Sequence, residues 1–541
     1  MQVLKTKTQE INSNKIQEKQ INLDFIQINE NFFSNVLTIA DDFKGILLVE
    51  KNTHPILSHS NAVFACMIRN AKNLKIGWID CEQDEINNRL LSYDKKSFII
   101  QGKKNSFFEK FKINLVFFIT VLKLLATNNI LQLKIEGIKF GDLLYDSYLG
   151  SFYVATIKNV NLNLIKLLHV LINRYFYFKK IIKTINPSAV LVSHQINLNS
   201  GVLFRVALKY KIPTYLRSGG NKTVSLKKYS SIHEMYDFQM KPTPFDLNFL
   251  QKINPNKIEK EFNSIIKQRM NTSTDKDAKL AYQKDKKIFY NKQQFNIENN
   301  LKYNNKNIVV MLHAFNDYPN SHFGKMIFKD YYDWFYNTLE FAKQKTDVNW
   351  IFKEHPASRY YKTLDICLSD YFKIRYEHIK FFNAESSFNT KSLLHIADAI
   401  LTVTGTAGIE FASTAGIPCI LAGKSFYSEL GVTFDLKTKK EYFAFLSKIE
   451  SIKKLDPKVQ YQAKLIFLFV EKYWSIPFNW SPHISYEETI EPNLNKHYWQ
   501  KVINQYDTYK SFLEEQFLQC SKIIEKDTFS KLTSYEVLKG E

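Results

Sequence analysis

The 541-residue sequence holds only 5 cysteines, 16 glycines and 13 prolines. The cysteines (Cys66, Cys81, Cys367, Cys419 and Cys520) are odd in number and widely spaced. That argues against a disulfide framework and against a paired-thiolate zinc site, and it fits a reducing cytosol. Long hydrophobic runs are also missing. The most apolar stretch, INLVFFITVLKLLATNNIL (113–131), is interrupted by Thr120 and Lys123 and ends polar. It is expected to be a buried core helix and not a membrane span. The polar beginning, MQVLKTKTQEINSNK, lacks the pattern of a secretory signal. There is no CxxC pair, HExxH motif, RNP-like aromatic strand or dense arginine tract. His313, His322 and His355 with Asp317 have no tight ligand spacing, which speaks against a metal site. No solenoid-length repeat is visible.

What the chain does have is lysine and hydrophobic mass. The formal net charge is +21, hydrophobic residues make up 45% and aromatics 15%. That is ample for real cores, so the chain is not a disordered one. The lysines are scattered, with short clusters only at Lys227-Lys228 and Lys439-Lys440. Such a charge favours anionic partners: a small anionic substrate, an anionic membrane surface or nucleic acid, the last without a supporting motif.

Strand and helix patterns alternate in two regions, as in doubly wound parallel sheets. In the first, GILLVE (45–50), LKIGWID (74–80) and AVLVSHQ (189–195) are strands separated by helical patterns. In the second, NIVVMLHAF (307–315), NWIFKEHP (349–356), AILTVT (399–404) and IPCILAG (417–423) play that part. The expected division is a polar segment 1–40, a Rossmann-like domain 41–244 that would bind an acceptor, a Lys/Asn-rich linker or insertion 245–305, a nucleotide-binding Rossmann-like domain 306–480, and a helical extension 481–541. The expected fold class is α/β, two Rossmann-like domains facing a cleft.

Two stretches carry chemistry. In NWIFKEHP a buried strand ends in Lys353, Glu354 and His355, with Pro356 fixing the turn. In ILTVTGTAGIEFASTAGIPCIL (400–421) a strand ends at Thr404, Gly405 permits a tight turn, and Thr406 can cap a helix whose first turn holds Gly408. Free N–H groups and the helix dipole there favour a phosphate, the dipole alone contributing on the order of 0.3–2 kcal/mol. Thr404 and Thr406 add hydroxyls, and Lys353 and His355 end a neighbouring strand where both can donate to an anion. Glu410, one turn beyond Thr406, could hydrogen-bond ribose, or be an ordinary solvated side chain on a capped helix.

These stretches resemble bacterial capsule and surface-polysaccharide biosynthesis proteins of the Kdo-transferase type. KEHP resembles their HP motif and TVTGTAGIEFASTAGIPCILAG their Ser/Thr motif, both shared in outline with sialyltransferases that use CMP-activated sugars. DLLYDSYL (142–149), SHQINLNSGVLFRVALKYKIPTY (193–215) and HAFNDYPNSHFGKMIFKDYYDWFYNTL (313–339) are similar as well. The resemblance implies a type-B glycosyltransferase fold, with His355, Thr404 and Thr406 contacting a CMP moiety. It implies transfer of an acidic sugar such as Kdo to a glycan or glycolipid, with no resident cofactor and no metal. An acceptor-activating base should come from the first domain. Asp142 and Asp146, spaced i and i+4, are candidates, against the alternative of a helix cap and a solvated carboxylate. His194 and Asp317 are candidates for acceptor contact. The expected location is cytoplasmic, on the inner face of the membrane. Rival readings are a CDP-polyol phosphotransferase of the teichoic-acid type, a nucleotide-sugar epimerase, and a non-catalytic polyanion-binding protein.

Overall fold

A computed structural model of the chain describes residues 2–38, 42–102, 104–220, 222–272, 276–283, 285–321, 326–356, 358, 360–484, 488 and 494–538. The strands begin with β1 (Ile46–Val49), β2 (Lys75–Ile79), β3 (Phe98–Ile100), β4 (Lys134–Ile135) and β5 (Ile138–Lys139). They continue with β6 (Ala189–Val192), β7 (Thr214–Gly219), β8 (Thr223–Tyr229), β9 (Asn307–Met311) and β10 (Asn349–Lys353). The last are β11 (Ile379–Phe382), β12 (Ala399–Thr402), β13 (Cys419–Leu421), β14 (Phe434–Asp435) and β15 (Ile476–Pro477).

Two compact α/β units form. The first comprises Met1–Thr120, His169–Met235 and Tyr473–Glu541. Its sheet runs β15-β8-β7-β6-β1-β2-β3, parallel from β7 to β3, with β8 toward one edge pairing antiparallel with both β7 and β15. The second comprises Val121–Leu168 and Tyr236–Lys472. Its six strands are all parallel, in the order β11-β10-β9-β12-β13-β14. Both are Rossmann-like: the first strand of each region is central and the chain reverses direction beside it, between β1 and β6 and between β9 and β12. The strands are near-continuous apolar runs because helices cover both faces; ILTV-type residues of β9, β10 and β12 are fully buried.

The expected boundaries need three corrections. The polar segment 1–40 is largely a helix, Gln2–Val36. Its lysines and glutamines hide an apolar stripe: Phe25 packs on Trp499 with ring centroids 4.4 Å apart and Phe32 stacks on Tyr506 at 4.9 Å. The extension after 480 is helical, as expected, and packs into the first unit. Its helix Leu494–Glu525 supplies those partners and joins the first unit's core over helix Pro55–Lys72. The Lys/Asn-rich stretch 245–305 is built into the second unit. Sparse apolar residues at helical spacing, among them Leu250, Ile258, Phe262 and Phe295, are at most 2% exposed.

The third correction concerns residues 121–168, expected within the first domain but packed in the second unit. Asp330 explains the docking. It caps helix Tyr331–Gln344 by accepting from Asp333 N, and accepts also from the hydroxyls of Tyr145 (2.5 Å) and Thr156 (2.6 Å). Burial raises the pKa of its carboxyl, and these donors oppose that rise.

The apolar stretch 113–131 is also not the buried core helix expected. Helix Phe107–Thr127 buries Ile113, Thr120 and Leu124 on one side and leaves large apolar side chains exposed on the other. A helix apolar all round satisfies only one neighbour when only one side is covered.

Candidate functional site

In open α/β sheets, ligands bind beyond the carboxyl ends of the strands at the reversal point. In the second unit three strand ends meet there. β9 leads to Leu312 and His313, β10 to Glu354, His355 and Pro356, and β12 to the turn before helix Ala407–Ala415. They line a cleft of about 590 Å³, its open mouth included, together with Thr402, Gly405, Thr406, Ala407, Glu410, Arg269 and Tyr282.

His313 organises this end of the sheet. Its Nε2 accepts from the N–H groups of Val403 (3.2 Å) and Thr404 (3.4 Å) and lies 3.0 Å from Thr402 Oγ1. Those two N–H donors require the Nδ1–H tautomer. The ring stacks on Tyr331 with centroids 4.4 Å apart. Burial first, then the neighbouring His355, push its pKa down to about 3, so it is neutral at working pH. Thr402 Oγ1 in turn accepts from Gly405 N at 3.2 Å, which sets the turn. Sequence reading treated His313 only as a weak metal candidate. Its position two residues past the first strand, at the reversal point, was the usable signal. Among the described residues no group of three or more His, Cys, Asp or Glu is arranged to hold a metal ion; His322 lies outside them.

The last residue of β10 and the two that follow it divide the labour. His355 lines the cleft. Lys353 is 3% exposed, and burial, with Lys286 adding to it, pushes its ammonium down to about 8. Glu354 is spent on the fold: it accepts from Ala384 N at 2.9 Å and ties the end of β10 to the loop after β11.

The turn after β12 differs from expectation in three residues. Thr404 is buried beneath the turn against Tyr331, and Thr402, not Thr404, presents its side chain to the cleft. Thr406 is exposed at the start of the helix with no side-chain cap, its hydroxyl 3.4 Å from Arg269 Nη2. Gly408 serves packing: a Cβ there would meet Tyr427 Oη at 2.4 Å and Cys419 Sγ at 2.6 Å. Glu410 is not a free ribose acceptor. It is 3% exposed and accepts from Arg269 Nε at 2.7 Å and Tyr282 Oη at 2.6 Å, both from the stretch expected to be a linker.

The carboxylates expected across the cleft lie in this same unit, for structural reasons. Asp146, fully buried, accepts from the N–H groups of Asn320 (2.9 Å) and Ser321 (2.5 Å). Burial pushes it up to about 7 against those donors. Asp142 accepts from Tyr236 Oη at 2.7 Å. Neither lines the cleft; helix Gly141–Phe152 presents both inward. Asp317 is exposed on the segment after β9.

The first unit has its own polar cluster at its reversal point, which sequence reading missed apart from His194. Glu50 follows β1 and Ser193 follows β6. Glu50 Oε1 accepts from Ser193 N (2.6 Å), Ser193 Oγ and Asn61 Nδ2 (3.1 Å). Asn61 Oδ1 accepts from Arg217 Nε at 2.7 Å, and Arg217 also donates to the Gly219 carbonyl. Arg217 is fully buried, and Glu50 Oε2 and Arg217 Nη2 are buried without a partner. His194 beside them is pushed down to about 4 by burial and by the charge of Arg217. The signal was a glutamate ending an apolar strand, GILLVE.

Residues 240–473 match the family of capsule polysaccharide biosynthesis proteins, a span nearly coincident with the second unit's longer segment. The match supports a surface-polysaccharide biosynthesis protein. No curated protein matches the sequence at a significant level. Among solved structures, a UDP-GlcNAc 2-epimerase from Neisseria meningitidis is 13% identical over 78% of this chain and 94% of its own, with a TM-score of 0.22. The calicheamicin glycosyltransferase is 12% identical over 87% and 98%, with a TM-score of 0.24. The wall teichoic acid polymerase is 9% identical over 94% and 98%, with a TM-score of 0.20. At such TM-scores the fold assignment stands on the two sheets themselves.

Proposed function

We propose that the chain is a glycosyltransferase of bacterial surface-polysaccharide assembly that takes an acidic sugar, Kdo in the first instance, from a CMP-linked donor. The observation carrying this reading is the cleft at the reversal point of the second sheet, inside the family-matched region. It combines a helix start, the Thr402–Thr406 turn and His355, with Lys353 buried close by. These groups suit a phosphate that gains negative charge as it leaves. In the step, an acceptor hydroxyl oxygen attacks the anomeric carbon, the bond from that carbon to the phosphate oxygen breaks, and CMP departs with the electron pair. The hydroxyl proton is released to solvent, because neither Asp142 nor Asp146 lines the cleft. No resident cofactor or metal enters this reading; the acceptor is a glycan or glycolipid at the inner face of the membrane.

The test is thermal stabilisation by CMP, CDP, UMP, UDP and GDP. A nucleotide at 100 times its Kd stabilises by about 2.7 kcal/mol. Stabilisation by CMP that His355→Ala abolishes is the expected result. Stabilisation by CDP in preference to CMP would favour polyol-phosphate transfer, UDP or GDP would overturn the donor, and none would sink the reading.

A further inference from the structure

The exposed side of helix Phe107–Thr127 is the largest feature that the proposed chemistry leaves unused. Phe107, Phe111, Leu115, Phe118, Leu122 and Leu125 are each between 47% and 79% exposed. At 100° per residue they fall within an arc of about 80° along the whole helix. Ile113, Thr120 and Leu124, at 4%, 8% and 2% exposure, occupy the opposite side. The helix therefore has two apolar faces, and only one of them meets protein among the described residues.

Charge selects the occupant of the other. The stretch 101–127 carries Lys103, Lys104, Lys110, Lys112 and Lys123 against a single acid, Glu109. Glu109 is already paired with Lys180 at 2.9 Å. Two copies of the chain joined through this face would set lysines against lysines, with no further acid in the stretch 101–127 to answer them. An anionic lipid surface answers both features at once: phenyl and leucyl side chains enter the acyl boundary while the lysines reach phosphates. No described helix is long and apolar enough to cross a membrane, so the helix would lie along it.

We infer that helix Phe107–Thr127 is a membrane-docking element that lies in the interface of an anionic bilayer. This deepens the membrane-facing part of the function proposed above, and it does not depend on the donor. The test is flotation of the full-length protein with vesicles of phosphatidylcholine alone or mixed with phosphatidylglycerol. The expected result is flotation with the mixed vesicles, weakened by salt, and a loss of about ten-fold or more for the double variant Phe111→Glu and Phe118→Glu. Both positions are exposed, so the variant keeps its Tm and any nucleotide-induced stabilisation. Equal flotation of variant and parent would overturn the inference. So would absence of flotation with a dimer that the variant dissolves, which would assign the face to a second copy. Flotation without any nucleotide response would sink the donor and leave the docking element standing.

Discussion

At the reversal point of the first sheet, between β1 and β6, the chain fills the strand ends with its own Glu50, Ser193, Asn61 and Arg217. At the corresponding point of the second sheet, between β9 and β12, it leaves an open cleft lined by His313, His355, Thr402 and Gly405. Strand order is the same in both cores. What differs is the charge brought by the loops. The first point gathers a buried carboxylate and a buried guanidinium linked through one amide, and two of their polar atoms have no partner. The second gathers neutral histidine, threonine hydroxyls, a helix start and a buried lysine, and the acid that lines the cleft, Glu410, is held by Arg269 and Tyr282. An anion is therefore repelled less at the second point.

Breaking the first cluster should give the largest effect. Arg217→Met leaves Glu50 buried without its counter-charge and Asn61 short of a donor, and should cost about 3 kcal/mol or more in chemical denaturation. If Glu50 is held by its hydrogen bonds alone, the loss will be under about 1 kcal/mol.

Two glycines of the second point sharpen the contrast between packing and binding. Gly408→Ala forces a Cβ against Tyr427 and Cys419 and should destabilise by about 1–3 kcal/mol. At Gly405 the nearest neighbour of a new Cβ is the Thr402 hydroxyl at 2.9 Å, on a side chain that lines the cleft. Gly405→Ala should therefore weaken nucleotide binding more than it lowers Tm. Calorimetric titration beside thermal melts would reverse the assignment if Gly408→Ala proved the binding variant.

The smallest effect is a pH dependence. Lys353 has its pKa lowered to about 8, so the folded state favours the neutral amine, and stability rises with pH between that value and the ordinary lysine pKa. An anionic ligand favours the ammonium instead. Nucleotide affinity should then fall as pH rises above 8, by up to about ten-fold per unit, with proton uptake on binding. Lys353→Met should flatten the profile. A profile unchanged by that substitution would remove Lys353 from the anion's surroundings.

Much of the second unit was legible. Short apolar runs such as NIVVM and NWIFK, bounded by turn residues, read as buried strands, and the Thr-Gly-Thr turn before a helix reads as a strand-to-helix turn. The errors came from residues whose role depends on partners far along the chain. Glu410 was read as free because Arg269 and Tyr282 lie 141 and 128 residues away. Asp142 and Asp146 were assigned to the wrong unit because nothing local in DLLYDSYL shows that Asn320 and Ser321 will meet it. The mostly polar composition of residues 1–40 and 245–305 concealed apolar residues at helical spacing that are too sparse to stand out from their neighbours.

The sequence by itself determined the two sheets, their parallel strands and the anion-suited turn after β12, because hydrophobic periodicity and turn chemistry act over a few residues. Only the tertiary structure decided that 121–168 joins the second unit, that both chain ends build the first, and that one face of helix Phe107–Thr127 stays uncovered. Those outcomes rest on which surfaces find partners. Burial is a property of pairs of segments, and a single segment's apolar content leaves its partner unspecified.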